Sequence, residues 1–318
     1  MAAFELTRNL ACQGPGDGNG DPSWLRWIAD LPGIVDDLAR RWSLRVGRPF
    51  QPGGSASWVA PARTSRGERV VLKVGWRHDE ALDEADGLRA WDGRGTVRLL
   101  DSRAAGTAIA LLLEACEPGT PLSQALPERE QDVVVAGLLR RMWIKPPAGL
   151  AFRPLHVMCD RWASEFEEDY AAARARGEDQ LDPGLARQGI GLFRELPRST
   201  GSAVLLWTDL HHDNVLAAAR EPWLAIDPKP YIGDPAYDPV QHMLNFPGRL
   251  AADPAGFAQR MAGLTGLDPD RVRHWLFARC VQESVGEPEL RPVATRLAPQ
   301  GYPSGQADDG DVVLRDRS

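Results

Sequence analysis

The sequence predicts an α+β fold in two lobes, a small antiparallel sheet followed by a larger, mostly helical body. Three observations predict it. Short alternating or β-branched runs separated by turns crowd into residues 44–113, the apolar period becomes helical after about residue 128, and Glu117-Pro118-Gly119 breaks the chain between the two regimes. Residues 1–20 are expected to form a disordered N-terminus, 21–115 the sheet-bearing lobe, 116–296 the helical lobe, and 297–318 a disordered tail.

Taken in order, Asp21-Pro22 reads as a helix cap with proline at the first helical position, and Trp24, Leu25, Ile28 and Leu31 follow at helical spacing. A second amphipathic stretch, Ile34 to Trp42, leads into strands at Leu44–Val46, Trp58–Ala60 and Glu68–Val74. A helix is predicted over Asp79–Trp91, ended by Asp92-Gly93, with Glu80 and Glu84 ahead of its apolar residues. Val97–Leu100 and Thr107–Leu113 form a second hairpin. Beyond the Pro-Gly break, helices are expected over Glu128–Trp143, Leu155–Ala173 and Leu181–Leu196, and later over Ala236–Leu244, Pro254–Leu264 and Asp268–Glu283. The acidic run at Glu165, Glu167, Glu168 and Asp169 reads as a solvated helix face.

The most informative stretch is Val204 to Asp227. An apolar run leads to Asp209, Asn214 follows five residues later, a second apolar run ends at Leu216, and a third, after an Arg-Glu-Pro turn, ends on Asp227. Each of these residues alone is equally explained as turn punctuation. Together, placed at the ends of three short strands, they supply what phosphoryl transfer needs: a carboxylate for the proton of an attacking hydroxyl, and an amide oxygen and a second carboxylate for a metal held against phosphates. The D-x-x-x-x-N spacing is that of a kinase catalytic loop. His211 and His212 have no further Cys or His at ligand spacing and read as loop support.

The segments Asp209–Leu216, Glu221–Lys229 and Gly233–Asp238 resemble the aminoglycoside phosphotransferase family, nearest its streptomycin and hydroxyurea kinase branch. The likeness is specific over about Val204 to Asn245 and collinear from about Trp24 to Val285. It implies a protein-kinase-like fold, Asp209 as the catalytic residue, and Asn214 and Asp227 as ligands of Mg²⁺. It further implies Lys73 on the nucleotide phosphates, held by Glu84, with Gly54 and Ser55 in the phosphate-covering loop and Glu114 and Cys116 at the hinge beside the base. Gly53–Ser57 lacks G-x-G-x-x-G and by itself is equally a hairpin turn. Asp234 is expected as a structural member of the site, with an N-cap role sufficient to explain it, and Glu283 as a contact to the acceptor. The sequence departs from the family at Trp207 and Thr208, where most members have His and often Gly.

The resemblance implies transfer from ATP, or alternatively GTP, to a hydroxyl of a small molecule such as an aminoglycoside. A housekeeping metabolite kinase and a nucleotide-binding relative without catalysis are the competing readings. No Asp-Phe-Gly or Ala-Pro-Glu is present, which counts against a protein kinase. The net charge of −7 over 318 residues argues against nucleic acid as partner and suits a cationic acceptor. No membrane-length apolar run occurs, and four scattered cysteines read as reduced, mostly buried thiols, so a cytoplasmic monomer or homodimer is expected.

Overall fold

The structure is a computed structural model and describes residues 4–12, 21–78 and 81–299. The remainder of the expected N-terminal and C-terminal tails, and Asp79 and Glu80 of the expected helix, lie outside the described residues.

Residues 4–12, expected to fray, instead pack on the sheet lobe. A short helix α1 (Arg8–Cys12) buries Leu10, and Phe4 stacks on Trp58 at 5.3 Å between ring centroids. The apolar contacts of Phe4, Leu6 and Leu10 explain the order, because they lie before the glycine-rich stretch that dominates the composition of this segment. Asn9 donates from its main chain to Pro52 O at 3.0 Å and from its side chain to Gly53 O at 2.6 Å. Gly53 has φ +84°, and a Cβ there would meet the buried Thr7 side chain at 2.5 Å, so only glycine fits.

The two helices expected before the first strand are one, α2 (Pro22–Arg41), capped by Asp21 through Ser23 N–H at 2.7 Å. Pro32 lies inside it. Interior proline costs about 3 kcal/mol, but Trp24, Trp27, Leu31, Val35 and Leu38 form one buried face continuous across it. At about 1.5–3 kcal/mol for each such side chain removed from water, burial decides the outcome.

Then come β1 (Arg45–Val46), β2 (Ser57–Arg63), β3 (Arg69–Trp76), α3 (Glu84–Trp91), β4 (Leu99–Ala105) and β5 (Ala108–Glu114). The strands make one antiparallel sheet in the order β1-β2-β3-β5-β4. Its central strands carry β-branched and leucine residues on both faces, one against α2 and the other against the second lobe. Helix α3 starts later than the sequence suggests. Asp83, at its cap position, spends its carboxylate on Arg153 at 2.8 Å and caps nothing.

The second lobe contains α4 (Leu122–Ala125), α5 (Glu128–Met142), α6 (Leu155–Ala175) and α7 (Pro183–Glu195), then β6 (Val204–Leu206), β7 (Val215–Ala217), β8 (Trp223–Ala225) and β9 (Tyr231–Gly233). It closes with α8 (Asp238–Leu244), α9 (Pro247–Ala252), α10 (Pro254–Thr265), α11 (Pro269–Glu283) and α12 (Leu290–Leu297). The central helix is α11: every residue from Trp275 to Val281 is buried as it packs on α7, α10 and α12. The three expected strands belong to two ribbons, since β6 pairs with the unforeseen β9 and β7 with β8. No helix among the described residues is long and apolar enough to cross a membrane. Cys159 and Cys280 are buried, but Cys12 is exposed, and the four cysteines are free.

In the second lobe, α5 contributes fully buried Asp132. It accepts from Arg249 at 2.8 Å and Arg260 at 2.7 Å and lies 3.1 Å from His242 Nε2. Burial alone would raise its pKa, but His242, Arg249 and Arg260 together hold it well below the carboxylate range. A depressed carboxylate stabilises the fold above its unfolded value near 4, and that stabilisation fades as pH falls below about 5. Removing one partner of a buried charge network costs about 3–5 kcal/mol. Asp132→Asn should therefore lose about that much in urea unfolding at pH 7, with the gap from wild type narrowing on acidification from pH 5 to 3. A gap independent of pH would contradict the assignment.

Candidate active site

The cleft between the lobes brings Lys73, Glu84, Asn214 and Asp227 to the walls of two adjoining cavities of about 260 and 500 Å³. Gly54 faces both, Ser55 and Asp209 face the smaller, and Glu114 and Cys116 face the larger. Val59, Val71, Leu113, Leu216 and Ile226 make the larger cavity apolar, a slot suited to a planar ring.

Strand β3 delivers Lys73 and α3 delivers Glu84. Lys73 Nζ lies 2.7 Å from both Glu84 oxygens and 2.5 Å from Asp227 Oδ1, so one ammonium joins three segments. Burial would lower the Lys73 pKa, yet Asp227 and Glu84 outweigh it and hold the lysine above its ordinary range. Burial pushes Glu84 up to about 7 against the pull of Lys73. Desolvation on the cleft floor would raise Asp227, but Lys73 holds it below the usual carboxylate value.

The loop after β6 is held by main-chain anchors. Asn214 Nδ2 donates to Asp209 O at 3.0 Å, which leaves the amide oxygen as its remaining acceptor. Thr208 has φ +59°, a left-handed conformation costing a β-branched residue about 1–2 kcal/mol. Two bonds offset the strain: its N–H donates to Asp238 Oδ1 at 2.8 Å and its hydroxyl to Lys229 O at 2.5 Å. Asp238, 1% exposed, also accepts from Trp207 N–H at 3.2 Å and the Trp143 indole at 2.8 Å. Burial raises its pKa to about 6 against those donors. His211 takes Asp213 N–H on Nδ1, and burial lowers its pKa.

Residues 41–289 match the family described as aminoglycoside/hydroxyurea antibiotic resistance kinase. The chain belongs to this family. It is 37% identical to the hydroxyurea phosphotransferase of Kitasatospora aureofaciens over 279 residues, 86% of this chain and 78% of that protein. It is 34% identical to the streptomycin 6-kinase of Streptomyces glaucescens over 283 residues, 86% of this chain and 89% of the relative. In fold it is similar to a choline kinase of Streptococcus pneumoniae, with a TM-score of 0.54 at 13% identity, covering 84% of this chain and 97% of that one. The protein is thus a bilobal small-molecule phosphotransferase.

Among the residues singled out by sequence, Asp234 and Glu283 line neither cavity. Asp234 caps the turn at Ala236 and binds Arg271 and the Trp275 indole, each at 2.6 Å. Glu283 pairs with Arg279 at 2.7 Å at the end of α11. The Glu114 carboxylate is also committed elsewhere, to Arg220 at 2.8 and 2.9 Å. Trp207, where most of the family has His, is completely buried and packs in a tilted pair on Trp91 of α3, with 4.7 Å between ring centroids. Apolar packing takes over the support of the loop there.

Sequence reasoning passed over Asp238, Lys229 and Arg220. Asp238 lies one turn into the helix predicted from Ala236, where a surface position is equally compatible with the sequence, and only its three long-range donors reveal its role. With its carboxylate gone, those donors are left buried and unpaired, at about 1–3 kcal/mol apiece before relaxation. Asp238→Ala should lower kcat at least about tenfold with nucleotide affinity within about threefold, and Asp238→Asn, which keeps an oxygen, should lose less. Steady-state kinetics beside calorimetry checks this; equal activity of the Ala variant would show that the loop needs no such anchor.

Proposed function

We propose that the protein transfers the γ-phosphate of ATP to a hydroxyl of a cationic aminoglycoside of the streptomycin class. What carries the reading is the meeting of Asp209, Asn214, Asp227 and Lys73 in one cleft of a chain that belongs to an antibiotic kinase family. The streptomycin 6-kinase relative matches along 89% of its own length, and a net charge of −7 favours a cationic acceptor.

The donor set fits Mg²⁺. Asn214 keeps its amide oxygen available while its nitrogen is engaged, and Asp227 presents a half-exposed carboxylate to the same cavity. Hard divalent cations choose such oxygens. When bound, Mg²⁺ would neutralise charge on the phosphates.

The remaining work falls to side chains. Lys73, steadied by Glu84, orients the α- and β-phosphates, and Gly54 and Ser55 cover them from above. The main chain around Glu114 and Cys116 faces the base. Asp209 orients the acceptor hydroxyl and takes its proton. An enzyme that consumes ATP works where ATP is made, which supports a cytoplasmic site of action.

The test is ADP release with streptomycin and with hydroxyurea as acceptors. Streptomycin should support turnover well above background hydrolysis. Asp209→Asn should lower kcat at least about a hundredfold, the lower range for loss of a general base, with its thermal midpoint nearly unchanged. Turnover of that variant within a few fold of wild type would refute the role of Asp209, and hydroxyurea as the better acceptor would replace the substrate class.

A further inference from the structure

Lys229 has no part in the reading above, although it stands in the same cavity. Its Nζ lies 3.3 Å from Asp209 Oδ2. Its main chain is tied at both ends to the loop that presents Asp209: Lys229 N–H donates to Trp207 O at 3.1 Å, and its carbonyl accepts the Thr208 hydroxyl. Pro228 and Pro230 flank it and restrict the backbone further. The lysine and the carboxylate are therefore carried by one rigid unit.

Two cations line the smaller cavity, each beside its own carboxylates. Lys73 is buried and committed to Glu84 and Asp227, the carboxylates nearest the nucleotide side. Lys229 is 39% exposed in its side chain and pairs with the carboxylate that faces the acceptor. In the proposed transfer, Lys229 therefore stands beside the carboxylate that takes the proton, and Lys73 beside the carboxylates of the phosphate side.

We infer that Lys229 is a catalytic cation of the transfer step, partner of Asp209 at rest and of the migrating phosphoryl group during reaction. This rests on the reading of Asp209 as proton acceptor. In the step, the proton of the acceptor O–H passes to Asp209, and the oxygen's electron pair forms the new O–P bond. The bond from that phosphorus to the bridging oxygen breaks, and its electrons leave on ADP. Protonation cancels the charge on Asp209 as phosphoryl oxygens reach the acceptor, so the ammonium exchanges one anion for another without moving far. A donor fixed before the reaction and aimed at developing charge is the arrangement that lowers a barrier most.

A lysine serving only as a strut for Asp209 would give a different result. Lys229→Met, Lys229→Arg and Asp209→Asn are compared with wild type in streptomycin-dependent ADP release, in ATP affinity by calorimetry, and in binding of ADP with aluminium fluoride, which mimics the transferring phosphoryl. Lys229→Met should lower kcat about a hundredfold while ATP affinity stays within about threefold, because Lys73 is untouched. It should also abolish the tightening of ADP binding that aluminium fluoride produces in wild type, and Lys229→Arg should restore part of both.

Turnover of Lys229→Met within about threefold of wild type, or tightening by aluminium fluoride that is undiminished, would overturn the inference. If Asp209→Asn is fully active, the proton-acceptor reading itself fails. If Asp209→Asn is inactive and Lys229→Met is normal, only the role of Lys229 falls. Should wild type not use streptomycin, ATP hydrolysis and the aluminium fluoride measurement decide the case for Lys229.

Discussion

One ammonium group sets the relation between the lobes. Lys73 comes from the sheet, Glu84 from the helix beside it and Asp227 from the far side of the cleft, and both carboxylates lie within 2.7 Å of the lysine nitrogen. Burying such a cluster adds little to stability, since desolvation consumes most of the Coulomb attraction; its benefit is geometric. The nitrogen can touch both carboxylates only when the sheet, α3 and the β8–β9 segment stand in register.

That register is enforced elsewhere by main-chain bonds, an ion pair and aromatic packing. The β7–β8 ribbon is stitched to the sheet lobe by Val97 N–H to Ala225 O at 3.1 Å and by Ala225 N–H to Gly95 O at 2.8 Å. Its turn residue Arg220 reaches Glu114, Gly93 O and Thr96 O. Trp91, at the end of the helix that begins with Glu84, packs on Trp207 two residues before Asp209. A displacement of α3 would therefore be felt at both ends, by the lysine and by the loop that presents Asp209. Two of the four non-glycine residues with left-handed backbone among the described residues belong to that loop region, Thr208 at +59° and Asp227 at +62°. Asp238 and Lys73 supply the bonds that keep them there.

Much of this was legible in the chain. The period-2 runs around Val70–Val74 and Thr107–Leu113 became the central strands, and the apolar spacing in Glu128–Trp143 became α5, because local pattern and final burial agree there. Asp209, Asn214 and Asp227, which line one cavity with Lys73, stood out because phosphoryl transfer demands particular residue types at set intervals, whereas Lys73 was singled out through the family resemblance. Local pattern misled where distant contacts decide. Two successive helical stretches were read where five buried side chains hold one helix across Pro32, and β9 was missed because three residues paired to β6 leave almost no periodic trace. Asp238 and Arg220 act through partners 30 to 127 positions away, which no neighbouring residue announces.

The first described residues bear on how the protein is handled in the laboratory. Asn9 grips the backbone at Pro52 and Gly53, and Thr7 fills the space beside Gly53, directly before the loop that lines the cleft. An affinity handle or fusion partner joined ahead of residue 4 would pull on that loop through a few bonds, and trimming these residues during purification would leave Gly53 without its backstop. A handle after α12 lies in sequence far from that clasp, which makes the C-terminal end the sounder place to attach one.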